Sequence, residues 1–506
     1  MTVIKIQQAM KSLNKLYKTM LFLAIGSGMS ACKLDETIYS SIFTESYYQT
    51  ASDAEKALVA AYGALGGLYG GPAALLVPDF SDDQTYPRAV VGRNTLTLFT
   101  VEPTYTTQRS QGRLNESPQQ IWTSCYQGIE RANWIIAKVP GTQMSETRKQ
   151  EIMGEAHFLR AFYHWMLAKN FGEIPVKIVP STTEAEAYTP KSPLNEVYAQ
   201  IYADLDMAHN AGLPSFPAVE PGRPSREAVQ ALHAKAALYN EDWEIALQKA
   251  EAILGTQTYS LIDDVVQLFH HANEEEARRE MIWAFEVDAI SPGNGHQMVG
   301  LTGPSGSGGV EYARTSYGSM FAYMDFFNSF DPADERRLLL DTTYLDRSGR
   351  WVPQREITPI TPEGVLIKKY QDPVSTTSST RNLPIFRLAD IYLIAAEAEA
   401  RLHGPTAKAY DYVNAIRTRA GLGELPAGLS QGDFIDAVIQ ERAWEFFAEG
   451  DRWYDLTRTG KFLEVIPNAV NDVYPVRNVQ PRNRYFPIPQ DEINANPELT
   501  QNPDWN

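Results

Sequence analysis

From Glu441 the chain reads ERAWEFFAEGDRWYDLTRTGKFL, and from Tyr485 it reads YFPIPQDEINANPELTQNPDWN. Charges are packed among large aromatics here at a density that a solvated helix face does not need. In the helix-like run 433–447, Phe434, Val438, Glu441 and Glu445 recur at i, i+4, i+7 and i+11, which predicts one helical face. Two carboxylates then share that face with apolar side chains, where unpaired charge is costly. They are either a chemical pair or members of ion pairs that hold the fold. A spacing of one helical turn is compatible with the paired carboxylates of a glycoside hydrolase. However, Arg417, Arg419, Arg442, Arg452 and Arg458 occupy the same terminal region, and nearby arginines lower the pKa that a general acid needs raised. Asp390, Glu397 and Arg401 repeat the pattern at i, i+7 and i+11, with Glu397 and Arg401 at salt-bridge spacing. We therefore read Glu397, Arg401, Glu441, Glu445 and Arg452 as structural ion-pair residues, with hydrolysis by Glu441 and Glu445 as the weaker alternative.

The rest of the chain narrows the class. Its 506 residues are 43% hydrophobic and 21% charged, ordinary for a globular protein with a large core. The formal net charge of −17 disfavours nucleic-acid binding, which needs a basic stripe. Two cysteines, Cys32 and Cys125, exclude a disulfide framework. Residues 1–31 carry Lys5, Lys11, Lys15 and Lys18 without an acid, then a short apolar run from Met20 and the small residues before Cys32. That is the layout of a secretory signal, and the run is too short to span a bilayer. Met29-Ser30-Ala31-Cys32 resembles a bacterial lipobox. Cleavage before Cys32 would leave its thiol to carry diacylglycerol and the new N-terminus an acyl chain, and several chains anchor stably where one does not. We expect a signal peptide at 1–31, a lipidated tether at 32–50 and a single domain at 51–506.

That domain reads as mainly α-helical. Alanine-rich helical patterns cover 53–68 (capped by Ser52 or Asp53 and stopped at Gly66-Gly67), 118–139, 145–171, 193–211, 226–240, 243–254, 388–403, 406–420 and 431–448. The run 145–171 reads as a long amphipathic helix. Residues 236–250 have the small and aromatic spacing of a tetratricopeptide hairpin, and 393–417 repeat it loosely. Alanine faces let such hairpins approach closely and stack. Two irregular, loop-rich segments interrupt the helices, about 70–116 and 286–385; long loops in a compact chain are commonly functional.

Motifs for chemistry are few. His270-His271 is the only close histidine pair, and no HExxH, EF-hand loop, CxxC or GxSxG is present, so neither a catalytic metal nor a cofactor is implied. Cys125 sits in a helical run and reads as a core thiol. The glycine-rich run 303–309 lacks the Lys-Ser/Thr pair of a phosphate loop.

Several blocks resemble the SusD/RagB family of outer-membrane nutrient-binding lipoproteins: 122–133 (WTSCYQGIERAN), 154–163 (GEAHFLRAFY) continuing to 171–175 (FGEIP), 222–229 (GRPSREAV), 387–393 (RLADIYL), 414–421 (NAIRTRAG), 449–456 (EGDRWYDL) and 486–489 (FPIP). The resemblance implies a SusD-like fold, with tetratricopeptide-like hairpins cradling an irregular half. It implies a lipid-anchored outer-membrane protein, exposed at the cell surface. It also implies a non-enzymatic protein that binds oligo- or polysaccharide and passes it to a TonB-dependent transporter of the SusC type. A peptide-binding relative working with the same kind of barrel is the alternative. The lysine directly after Cys32 departs from the family's surface-export signal. Family blocks do not carry ligand contacts, so these come from the loops. Sugar recognition combines aromatic faces with polar groups for hydroxyls, which selects Asp82, Tyr86, Arg88, Tyr105 and Arg109 in one segment and Tyr312, Arg314 and Tyr317 in the other.

Overall fold

Long helices form where alanine-rich, 3.6-period runs meet a polar cap. In the computed structural model, which describes residues 47–90, 92–106, 116–287, 295–357, 364–376 and 378–505, they are α1 (Ala51–Leu65), α2 (Pro118–Lys138), α3 (Glu146–Phe171), α4 (Leu194–Asn210), α5 (Arg226–Tyr239), α6 (Trp243–Leu254), α7 (Leu388–His403), α8 (Ala407–Arg419) and α9 (Gln431–Glu445). Residues 1–46, including Cys32, lie outside the described residues. Each long helix packs on the next through α8, and α9 returns to pack on α7. The result is a mainly α scaffold of stacked hairpins. Small residues permit the close packing: Ala228, Ala231, Ala234, Ala236 and Ala237 of α5 are fully buried, as are Ala389, Ala395, Ala396, Ala398 and Ala400 of α7.

Several ends differ from the sequence reading. The cap of α1 is Thr50, in a reciprocal capping box with Asp53, because Thr50 is the residue in extended conformation. Gly66-Gly67 does not stop that helix; a π-helical turn continues over Gly66–Gly70. There Gly67 lies against α2 so closely that a Cβ would stand 2.2 Å from Ser124 Oγ. Helix α9 ends at Glu445 rather than 448. Lys369 Nζ binds the carbonyls of Glu445 and Phe447, each at 3.0 Å, Tyr370 Oη binds that of Ala448 at 2.7 Å, and Ala448 turns left-handed at φ 58°. Helix α3 is not amphipathic. Nearly every residue from Ile152 onward is buried, because α1, α2, α4 and α5 surround it. Its polar side chains are paired accordingly. Arg160 binds Asp204 at 2.9 and 2.6 Å and Asn133 at 2.8 Å, and Glu155 meets Arg148, Arg223 and Tyr62 Oη.

The irregular half carries eight short strands among the described residues: β1 (Thr85–Pro87), β2 (Met281–Phe285), β3 (Met320–Ala322), β4 (Leu340–Asp341), β5 (Thr343–Leu345), β6 (Trp351–Pro353), β7 (Leu366–Ile367) and β8 (Leu383–Arg387). They form antiparallel pairs β1–β3, β2–β8, β4–β7 and β5–β6. Strand β8 runs directly into α7, and Trp283 of β2 packs on Phe386, Phe158 and Phe162, which fixes the irregular half to the scaffold. The C-terminal stretch is stapled to the end of α3. Phe486 N donates to Asn170 O at 2.8 Å, and Asn502 Nδ2 to the carbonyls of Phe171 and Phe486.

Candidate functional site

The terminal glutamates are interior. Glu441 lies 2.6 Å from Arg336 and 3.0 Å from Arg417; Glu445 lies 2.6 Å from Arg387, 2.5 Å from Arg419 and 3.2 Å from Arg336. Both side chains are at most 1% exposed. Burial alone would raise the Glu445 carboxyl, but Arg419, Arg387 and Arg336 outweigh it and hold it well below the usual carboxylate range. A buried, permanently ionised carboxylate has neither the access nor the proton of a general acid. The partners are not the ones nearest in sequence. Arg442 serves Asp390 (2.7 Å) and Asp455 (2.8 Å), and Arg452 reaches across to Asp83 at 2.7 Å. Glu397 meets Arg401 at 3.2 Å and Arg458 at 2.7 Å.

The two loop segments converge on one surface. The β1–β3 pair aligns Tyr86 with Phe321 and Pro87 with Met320. Just beyond it, Arg88 N donates to Ser319 O at 3.0 Å, and Arg88 Nη1 donates to Tyr317 O at 3.2 Å. Tyr317 is held by its backbone, since its N–H donates to Gly300 O and the next N–H to Gly303 O, both at 2.8 Å. Gly303 must be glycine for this turn to close, because a Cβ there would stand 2.3 Å from Ser316 Oγ. Arg314 is fixed by its backbone N–H to Ser375 O at 3.0 Å while its side chain stays in solvent. The neighbouring β5–β6 hairpin is joined to the same loop, with Leu345 N donating to Glu311 at 2.7 Å and the Arg347 side chain lying against Gly308. Tyr344 and Val352 point inward, and Trp351 points out, 59% exposed. Arg314, Tyr317 (41% exposed) and Trp351 thus stand on a rigid frame with their polar or aromatic ends in water, and the half-buried Arg88 braces the Tyr317 carbonyl beside them.

The other expected ligand residues do not reach this surface. Asp82 is buried and its carboxylate accepts from Gln84 N and Thr85 N at 2.8 and 2.9 Å, closing the turn into β1. Tyr86 is fully buried, its ring 4.9 Å from that of Tyr323. Tyr105 is fully buried, with its hydroxyl on Pro487 O at 2.7 Å. Tyr312 is 1% exposed, under Gly303. Large aromatics in a strand or tight turn bury more apolar surface inside than they could by contacting a ligand, and this places them in the core. Arg109 lies outside the described residues. Sequence reasoning does not single out Trp351; its signal is a tryptophan directly after a polar turn, Asp346-Arg-Ser-Gly-Arg-Trp351, in alternation with the inward Val352.

Comparisons with known proteins agree with this architecture. A family model described as SusD family matches residues 340–505, and one described as starch-binding associating with outer membrane matches residues 75–238. SusD-like protein P25 of Formosa agariphila is 27% identical, covering 92% of this chain and 94% of its own. The starch-binding protein SusD of Bacteroides thetaiotaomicron is 25% identical, covering 74% and 76%. A laminarin-binding SusD-like protein of solved structure superposes with a TM-score of 0.73 at 24% identity, over 90% of this chain and 100% of its own, which speaks to the fold. Matched from its early helices to its C-terminal stretch, the chain belongs to the SusD/RagB family.

Proposed function

We propose that the protein is a glycan-binding, non-enzymatic lipoprotein of the outer membrane. It captures oligo- or polysaccharide at the cell surface and delivers it to a TonB-dependent transporter of the SusC type. The observation that carries this reading is the loop face. Two exposed aromatics, Tyr317 and Trp351, stand with Arg88 and Arg314 on backbone-fixed turns. Exposed aromatic faces stack on sugar rings, and guanidinium donors meet hydroxyls in a wet site. Relatives named for starch and laminarin support the ligand class, and the outer-membrane description of the family model supports the location. The anchor is Cys32, so Cys32→Ala is expected to move the protein from the membrane fraction to the soluble fraction.

Calorimetry against a panel of neutral hexasaccharides (malto-, laminari-, cello-, xylo- and manno-) tests the function. Binding to at least one is expected, weakened about tenfold by Tyr317→Ala or Trp351→Ala, as the loss of one stacking partner costs about 1 kcal/mol or more. Silence to every glycan, with peptides bound instead, would replace this reading by peptide uptake.

A further inference from the structure

A second cleft, of about 460 Å³, lies where α2, residues 175–188 and the C-terminal stretch meet. It shares no residue with the loop face. Tyr126 and Tyr188, both half-buried, form its aromatic wall, and the buried Trp122 backs Tyr126 with its ring 4.9 Å away. That wall is pre-set, because Tyr126 Oη donates to Pro175 O at 2.9 Å and Asn496 Nδ2 on the far rim donates to Thr189 O at 2.9 Å. The polar lining has both signs. Glu130 accepts from Ser181 N at 3.1 Å, Lys177 Nζ donates to Ser181 Oγ at 3.2 Å, and Glu492 lines the cleft beside Trp122. Burial, with the Asp491 charge beside it, holds the Glu492 carboxyl above its ordinary value despite Trp122, and burial holds the Lys177 ammonium below its own.

The donor and acceptor inventory selects the ligand. A bound cation would face the Lys177 ammonium, and a bound anion would face the Glu130 and Glu492 carboxylates. A neutral polyol suits both, because each hydroxyl donates and accepts. The aromatic wall supplies the apolar face that a pyranose ring covers, and the volume falls in the range of small-ligand sites. We propose that this cleft is a second carbohydrate subsite, taking one or two neutral pyranose units and separate from the loop face. It rests on the glycan-binding reading and adds a consequence: a glycan long enough to engage both sites gains avidity that neither site has alone.

The test uses the full chain and the same hexasaccharides. Ala495 lines the cleft from an exposed position, so Ala495→Trp fills the cleft without removing a core contact, and Glu492→Gln removes its charged acceptor. Two binding events per chain are expected in the wild type. One should be abolished by Ala495→Trp and weakened about tenfold by Glu492→Gln, while the other is lost in the Tyr317→Ala/Trp351→Ala double variant. Thermal melts identify any variant that fails to fold, and for such a variant a crystal of the wild type soaked with the bound hexasaccharide decides, sugar density against Tyr126 and Tyr188 being the expected result. A single event untouched by Ala495→Trp overturns the second subsite and leaves the loop face standing. Silence of the wild type to the whole panel overturns both readings.

Discussion

Glu445→Gln is the sharpest test of how the C-terminal block holds together. Around Glu445 the carboxylates of Glu280, Asp334, Glu441, Glu445 and Glu449 face the cations of Arg336, Lys369, Arg387, Arg417 and Arg419, so the buried network is electrically balanced. Glutamine keeps the shape and deletes one charge, leaving a net positive charge in an interior that water does not reach. Breaking a buried ion pair on one side costs about 3–5 kcal/mol. The remaining partners of Arg336, Arg387 and Arg419 soften the loss, so the lower end, about 3 kcal/mol, is expected. Urea unfolding followed by tryptophan fluorescence reads it, with Glu424→Gln on the exposed surface as a control expected within about 0.5 kcal/mol of wild type. Adding Arg419→Met should return part of the loss by restoring neutrality, a coupling visible in a double-mutant cycle. The pH dependence has a definite sign. The folded Glu445 carboxyl is held well below 4.5, so its contribution is present above the unfolded value and is lost as pH falls through the folded one. Glu445→Gln should therefore flatten the acid limb of the stability curve. A loss near that of a surface pair, under about 1 kcal/mol, would refute the reasoning.

Other outcomes follow from the same coordinates. Gly303→Ala should displace the Tyr317 turn, since its Cβ would stand 2.3 Å from Ser316 Oγ; glycan affinity should fall while the melt of the helical scaffold changes little. Thr50→Ala should cost about 1 kcal/mol by removing the cap of α1, read by the same urea titration. Buried His164 and His233 are pushed down to about 4 and about 3, burial being the main cause. The unfolded chain therefore binds more protons than the folded one between pH 6.5 and about 4, and stability should decline as pH falls through that window. His164→Gln should reduce that slope, measured as the urea midpoint against pH.

The helices were legible because their determinants are local. A 3.6-residue period, a cap at Ser117 or Ser145 and a glycine at 172 act within a few residues, so α2 to α8 fall within a residue or two of the sequence reading. Charge among aromatics near Glu441 and Glu445 was equally legible as buried pairing, since an unpaired charge on an apolar face has no stable alternative. The identity of the partners was legible only in part: Arg417, Arg419 and the Glu397–Arg401 pair stood out, and the others did not. Arg336 and Arg387 come from the irregular half, 109 and 58 positions before Glu445, and no sequence spacing encodes such a meeting. The candidate surface divides the same way. Composition marked the two loop segments as the place for a ligand. Only the β1–β3 rung brought Arg88 to Tyr317, and only packing decided that Tyr86, Tyr105 and Tyr312 are core while Trp351 is surface. Local pattern determines what a segment can become; which of its side chains meet water is set by what the rest of the chain lays against it.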